Sequence, residues 1–329
     1  MVYPICFPGQ PAIPEITNST MVTEFLLMGF AEMLELRVLY ALLFLLMYLA
    51  TLLGNLVIIT ATTLDQSLHT PMYFFLRNLS ILDMCYISVT VPKACVNSLT
   101  DNRAISVAGC AAQIFLVFWL AVTELLFLTI MARDRYVAIC RPLHYPMIMN
   151  QRICIQMTLV SLLSGLIYAG MHTGNTFRLS FCQSNVVHQF FCDNPSLLRI
   201  SCSDTFSNEL LILISAMGIG GGCFIFITMS YSHIFSTVLK FQNRERGKAF
   251  STCVPHILVV SIFLSFGSYV YLRPSASSDT ILDMIFSVFY SIVPPLLNPI
   301  IYSLRNKQVK DAVRKILIRV YSIGLHPNL

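Results

Sequence analysis

The sequence predicts an all-α membrane protein: a bundle of seven transmembrane helices followed by a short amphipathic helix on the cytoplasmic side. Three observations carry this. The chain has 329 residues, 56% hydrophobic and 11% charged, with a mean hydropathy of +0.72; a soluble globular domain carries roughly 25% charged residues, and a disordered chain is poor in apolar ones. Apolar stretches recur at about 38–61, 73–98, 107–132, 153–172, 208–239, 249–272 and 281–303, each long enough for the roughly 20 residues that cross about 30 Å of hydrocarbon. Their continuity argues for helices, since barrel strands alternate in runs of about ten. Finally, 15 of the 21 Lys and Arg residues fall on one side of the resulting topology.

Taken in order, residues 1–37 form an outer tail with Pro4, Pro8, Pro11 and Pro14 but no basic start and no apolar run, so it lacks the form of a cleavable signal peptide. Asn18-Ser19-Thr20 is a glycosylation acceptor if the tail is outside. The membrane domain, 38–303, alternates sides. Arg77, Arg133, Arg135, Arg141, Arg152, Lys240, Arg244, Arg246, Lys248, Arg305 and the basic residues after it fall inside, which places the amino terminus outside. Segment five carries Gly218 and Gly220 to Gly222, and segment seven carries Pro294, Pro295 and Pro299. In 304–329, Val309, Val313, Ile316, Leu317 and Val320 are interleaved with Lys307, Lys310, Arg314, Lys315 and Arg319. That pattern is a cytoplasmic amphipathic helix lying on anionic membrane lipids. The net charge of +5 is therefore a membrane signature, and nucleic acid is not an expected partner.

Asp83 and Glu124 stand at helix-centre depth, where an unpaired charge costs at least about 2.5 kcal/mol. From the residues alone they are paired, hydrated or protonated against a neighbouring helix. Among the Cys, Cys110, Cys182, Cys192 and Cys202 fall on the oxidising side, where disulfides form and four Cys allow three pairings. A zinc site around His188, Cys192 and Asp193 fails on ligand spacing. Cys85, Cys140, Cys154, Cys223 and Cys253 read as free thiols that pack as small apolar groups. The chain has no phosphate-binding Gly loop, HExxH or GxSxG, so neither an enzyme nor a cofactor is expected.

Several strings, in order and on successive segments, carry a resemblance. They are Gly54-Asn55, Pro71 to Leu76 (PMYFFL), Leu79-Ser80 with Asp83, Met131 to Cys140 (MARDRYVAIC), Pro142 to Tyr145 (PLHY), Ser230-Tyr231, Lys248 to Cys253 (KAFSTC) and Pro295 to Asn306 (PLLNPIIYSLRN). Over nearly the whole chain from about Asn18, the sequence resembles the vertebrate olfactory (odorant) receptors of the rhodopsin-like G protein-coupled class.

The resemblance implies a multi-pass receptor of the plasma membrane that binds a small apolar odorant between its helices and activates a heterotrimeric G protein of the stimulatory, olfactory type, raising cyclic AMP. It implies a coupling switch at Asp134, Arg135, Tyr136, Tyr231, Asn298, Pro299 and Tyr302, and disulfides joining Cys110 to Cys192 and Cys182 to Cys202. It also implies a hydrated sodium ion at Asp83 and Glu124 near Asn298, against the alternative of a neutral carboxyl bonded to a neighbouring helix. The ligand pocket would be lined by Val117, Phe118, Ala121 and Val122, then Ser215 and Ile219, then Gly267, Ser268 and Tyr271, and finally Ser291. Segment three has no acid from Cys110 to Thr123, and segment seven has no Lys, so neither an amine nor retinal suits the site.

Arg133, Leu162 and Leu264 depart from the family pattern, which has Tyr, Trp and Tyr at those places. The tail is long, and Met21 is an alternative start that would remove the sequon. A receptor of the same family with a role outside olfaction, or a transporter using Asp83 and Glu124 as ion ligands, are the alternative functions.

Overall fold

A computed structural model describes residues 22–28, 33–100, 102–181, 185–240, 243–272, 280–305, 308–315 and 318. Seven long helical segments run through them. Helix one is Leu34–Leu64, helix two Pro71–Thr100, helix three Val107–Cys140 and helix four Gln151–Thr176. Helix five comprises Phe206–Ser215, a π segment Ala216–Gly220 and Gly221–Val238, followed by helix six, Asn243–Leu272, and helix seven, Thr280–Arg305. By length and composition the first five are long and apolar enough to cross a membrane, and helices six and seven contain the shorter apolar stretches Cys253–Ser265 and Ile285–Ile301. A further helical stretch covers 308–315.

Most of the helices outrun the hydropathy segments, helix three by eight residues at its inner end. Hydropathy registers only the part in hydrocarbon, whereas a helix satisfies its own backbone and continues into the headgroups until something stops it. Helix three starts where Ser106 Oγ accepts a hydrogen bond from Gly109 N at 3.1 Å, and helix four where Asn150 Oδ1 accepts from Ile153 N at 3.0 Å. The π segment falls where Gly218 and Gly220 lower the cost of an irregular turn.

The end of the bundle where helix three begins also holds structure that the all-α expectation lacks. A three-stranded sheet in the order β2-β1-β3 joins Glu24–Leu27 (β1) antiparallel to Ala104–Ser106 (β2) and parallel to Val186–Val187 (β3). Its drive is burial: Phe25, Leu27 and Val187 are almost wholly enclosed with Cys110, Ile114, Cys192 and Leu197. Strands this short leave no hydropathy pattern of their own.

Two close approaches fix the bundle. A Cβ on Gly165 of helix four would lie 2.6 Å from Thr123 Oγ1 and 3.0 Å from the Trp119 carbonyl oxygen, so only Gly lets helices three and four meet there. Trp119 Nε1 then donates to the Leu162 carbonyl at 3.1 Å. On the other side of the bundle, a Cβ on Gly54 would be 3.0 Å from Pro299 Cγ. Pro299 has no N–H to offer the carbonyl of Pro295, four residues earlier, and Asn55 Nδ2 supplies the missing donor at 3.0 Å. The Gly54-Asn55 pair thus brings helix one against the kinked helix seven and satisfies the kink.

Candidate ligand cavity and cytoplasmic switch

Inside the bundle a cavity of about 550 Å³ lies between helices three, four, five, six and seven, within the usual range for a small-molecule site. Val117, Phe118, Ala121 and Val122 line it from helix three, Ser215 and Ile219 from helix five and Ser268 from helix six. Ser291 does not line it: its hydroxyl is fully buried and donates to the Ser287 carbonyl at 2.6 Å. Gly267 and Tyr271 belong to helix six, but the surroundings of Gly267 and the side chain of Tyr271 lie outside what the structure describes. Leu264, one of the three departures, is in the wall.

Sequence reasoning missed the contributions of Tyr86, Tyr168 and Tyr290 to the cavity. It missed a polar cluster too, in which Ser215 Oγ is 3.2 Å from Tyr168 Oη and 3.0 Å from His172 Nε2 while donating to the Ile212 carbonyl at 3.0 Å. Phe118 lies tilted against that His and edge-on to that Tyr, with ring centroids 5.3 and 5.8 Å away. A lone His in an apolar helix has no periodic signal, and only the fold shows what it faces. The cavity is therefore mostly apolar with a few fixed polar groups, a lining suited to an uncharged small molecule.

The lid over the cavity is pinned from several sides. Cys110 and Cys192 form a disulfide with Cα atoms 5.5 Å apart. Gln113 holds the same point, accepting from Cys192 N and donating to the Val89 carbonyl, both at 2.8 Å. Cys202 is also disulfide-bonded, while Cys182 and Asn18 lie outside the described residues.

At the floor of the cavity, where Glu124 is part of the lining, Asp83 and Glu124 are buried around one amide. Asn298 Nδ2 donates to Asp83 Oδ2 at 3.0 Å, with Asp83 Oδ1 and Glu124 Oε1 each at 3.3 Å. Helices two, three and seven are tied together at this point. Among the described residues no group of three or more His, Cys, Asp and Glu gathers as a metal site.

At the inner end Asp134 Oδ1 accepts from Tyr145 Oη at 2.8 Å, and Arg135 is 96% enclosed. Burial and the neighbouring Asp134 carboxylate raise the Tyr145 phenol above its ordinary range. Tyr231 Oη meets His256 Nδ1 of helix six at 2.6 Å, and Phe235 stacks on Phe250 at 5.6 Å between centroids. The ring of Tyr136 lies 5.8 Å from His233. His256 belongs to no string that signalled a switch. Pro299 is buried against Gly54, the Tyr302 side chain lies outside the described residues, and Arg133 is exposed.

The model of the family described as "Olfactory receptor" matches residues 44–320. The chain belongs to the olfactory receptor family. It is similar to human olfactory receptor 14C36, with 68% identity over 305 residues, covering 92% of this chain and 98% of the relative. To human olfactory receptor 14A16 it is 53% identical over 299 residues, 91% and 96% of the two chains. Such receptors are rhodopsin-like, multi-pass proteins of the plasma membrane and are not enzymes; odorants are their ligands and G proteins their partners.

In this receptor the inner helix 308–315 is docked at two points. Lys315 Nζ bonds Asp65 Oδ2 at 3.0 Å, and Tyr73 Oη donates to Gln308 Oε1 at 2.7 Å. The Ser67 hydroxyl, at 2.6 Å, and then Lys315 lower the Asp65 carboxyl from 3.8 to about 2. A depressed carboxyl contributes its stabilisation above the ordinary value and loses it as pH falls through the folded one. The dock should thus persist from neutral pH to near 3.8 and release only as pH drops through about 2. A spin label at Asp311 should report low mobility down to that window, whereas Asp65→Asn should raise the mobility a few-fold at neutral pH.

Proposed function

We propose that this receptor detects small, uncharged, apolar volatile molecules in the cavity between helices three, five, six and seven, and signals through the stimulatory olfactory G protein to raise cyclic AMP. The observation that carries the reading is the cavity itself: mostly apolar walls, among the described residues no Lys or Arg and a single acid, Glu124, whose carboxylate is already held by Asn298, and the Tyr168–His172–Ser215 cluster as its orienting group. A ligand shifts the equilibrium only by preferring the active state. Contacts with Phe118 and Leu264 bear on helices three and six together, and outward movement of helix six requires the Tyr231–His256 bond beside Arg135 to rearrange. Arg135, Asp134 and Tyr136 then meet the G protein, while Asn298, Pro299 and Tyr302 form the hinge of helix seven.

In the same reading the amino terminus is extracellular, Asn18 carries glycan, Cys182 pairs with Cys202, and the 308–315 helix rests on anionic inner-leaflet lipid. Two buried carboxylates around one amide fit a hydrated sodium ion: Asp83 and Glu124 supply two charged oxygens, and the Asn298 amide and water complete the set. Sodium there would hold helices two, three and seven in the resting arrangement.

The test is expression with the olfactory stimulatory G protein and a screen of an odorant panel for cyclic AMP. We expect at least one responsive volatile, with Arg135→Ala reducing the response by about tenfold or more at unchanged surface expression, the loss of an interaction worth roughly 1.4 kcal/mol or more in the active state. A receptor that reaches the surface, answers no odorant and signals identically with and without Arg135 would overturn the reading.

A further inference from the structure

The cavity has its outer end closed and one side open. Above it, Phe25, Val187 and Cys192 have no exposed surface, and Phe118 belongs both to that closed cluster and to the cavity wall. The side between helices five and six is different. Met217 and Phe224 line the cavity from helix five, yet 62% and 55% of their surfaces are exposed on the bundle perimeter. Ser265 and Ser268 line it from helix six and are exposed as well. A residue that faces a cavity and also the outside stands at an opening, and here such residues occur on both helices at the same level.

Two further features keep the gap from closing. Gly220 and Gly221 line the cavity at this point, and a Cβ on either would meet nothing within 4 Å. Among the described residues helix five also packs mainly against helix three and only sparsely against helix six, with Tyr231–His256 and Phe235–Phe250 joining the two at the end away from the disulfide. Among the described residues the rim consists of Met, Phe, Gly and Ser, without a charge.

We infer that this gap is a portal to the bilayer, through which uncharged, membrane-partitioned ligands reach the cavity from the hydrocarbon and not from the outer solution. The inference rests on the reading of the cavity as the ligand site. Its chemistry selects for partition: a neutral amphiphile concentrates in the membrane and crosses the rim without losing hydration, while an ionised molecule meets the cost of an unpaired charge in hydrocarbon.

The glycines supply the experiment. Gly221→Trp starts from a Cβ that meets nothing within 4 Å and adds a large ring at the rim, and it removes a residue that helices disfavour. Gly222→Trp, on the exposed surface beside it but outside the lining, is the matched control. Full-length receptor in phosphatidylcholine nanodiscs would be mixed with azioctanol, a photoreactive alkyl diazirine alcohol, and flashed after increasing delays. Mass spectrometry then reads label on the peptide holding Phe263 and Leu264. Labelling of the parent should rise with the amount of probe preloaded in the bilayer. Gly221→Trp should slow it by about tenfold, as roughly 1.4 kcal/mol on a barrier would, with Gly222→Trp unaffected and a carboxylate-bearing diazirine excluded. Equal rates in both glycine variants, or equal labelling by the charged probe from solution, would overturn the portal while leaving the ligand site intact. No cavity label in the parent at any delay would overturn both, and an absent odorant response with normal label kinetics would overturn only the proposed function.

Discussion

Cys110→Ala is expected to prevent the receptor from reaching the cell surface. The disulfide closes a span of 82 residues, and cross-linking a loop of that length stabilises by about 4 to 5 kcal/mol in the chain-entropy picture, a large part of the 5–15 kcal/mol that separates most folded domains from unfolding. The bond also anchors a cap whose other members depend on it. Cys192 N is held by Gln113 and its side chain packs with Phe25, Val187 and Leu197, so freeing it exposes β1 and β3 together. Cys192→Ala should match it, and the double variant should add little, because either change removes the same bond. Surface staining and thermal unfolding of purified protein, with Cys85→Ala as a control for loss of an exposed free thiol, measure the effect. Near-parental surface levels of Cys110→Ala would show that the cap holds without its cross-link.

Asn298→Ala is expected to destabilise the bundle by about 1.5–3 kcal/mol, the worth of hydrogen bonds to a charged group that is left buried without its donor. Both Asp83 and Glu124 direct oxygens at the one Nδ2, and Asp83 has no exposed surface. Deleting the amide leaves two acids facing each other in a low-dielectric interior. Because the penalty belongs to the uncompensated acids, Glu124→Gln in the Asn298→Ala background should recover part of the loss. A double-mutant cycle on melting temperature reads this directly, and strict additivity would show that Asn298 acts alone. In the parent, sodium should raise the melting temperature, and Asp83→Asn should abolish that rise.

How much of this was readable in the sequence depends on the kind of force at each place. Helices announce themselves because hydrocarbon demands a long apolar run, and the inner face because Lys and Arg collect there. The cavity wall on helix three, Val117 to Val122, follows from one helix face turned inward. By contrast, Tyr168 and His172 became visible only when helix four was set beside Ser215, and Ser291 fell out of the lining because its rotation buries the hydroxyl on its own helix. Asn55 shows the same limit: it is recognisable as part of a phrase, but its task at the Pro295 carbonyl needs the approach of two helices 240 residues apart in sequence.

The sequence by itself determined what the solvent dictates: which segments enter the membrane, at which end of the bundle the basic side chains collect, and that the charges left in hydrocarbon must serve some purpose. Only the tertiary structure decided which of those groups share a proton donor, which rings enclose a cavity, and where the wall stays open. The reason is physical. Partition into a membrane is a sum over local residues, whereas hydrogen bonds and packing act over a few ångströms, and the sequence does not order its residues by distance in space.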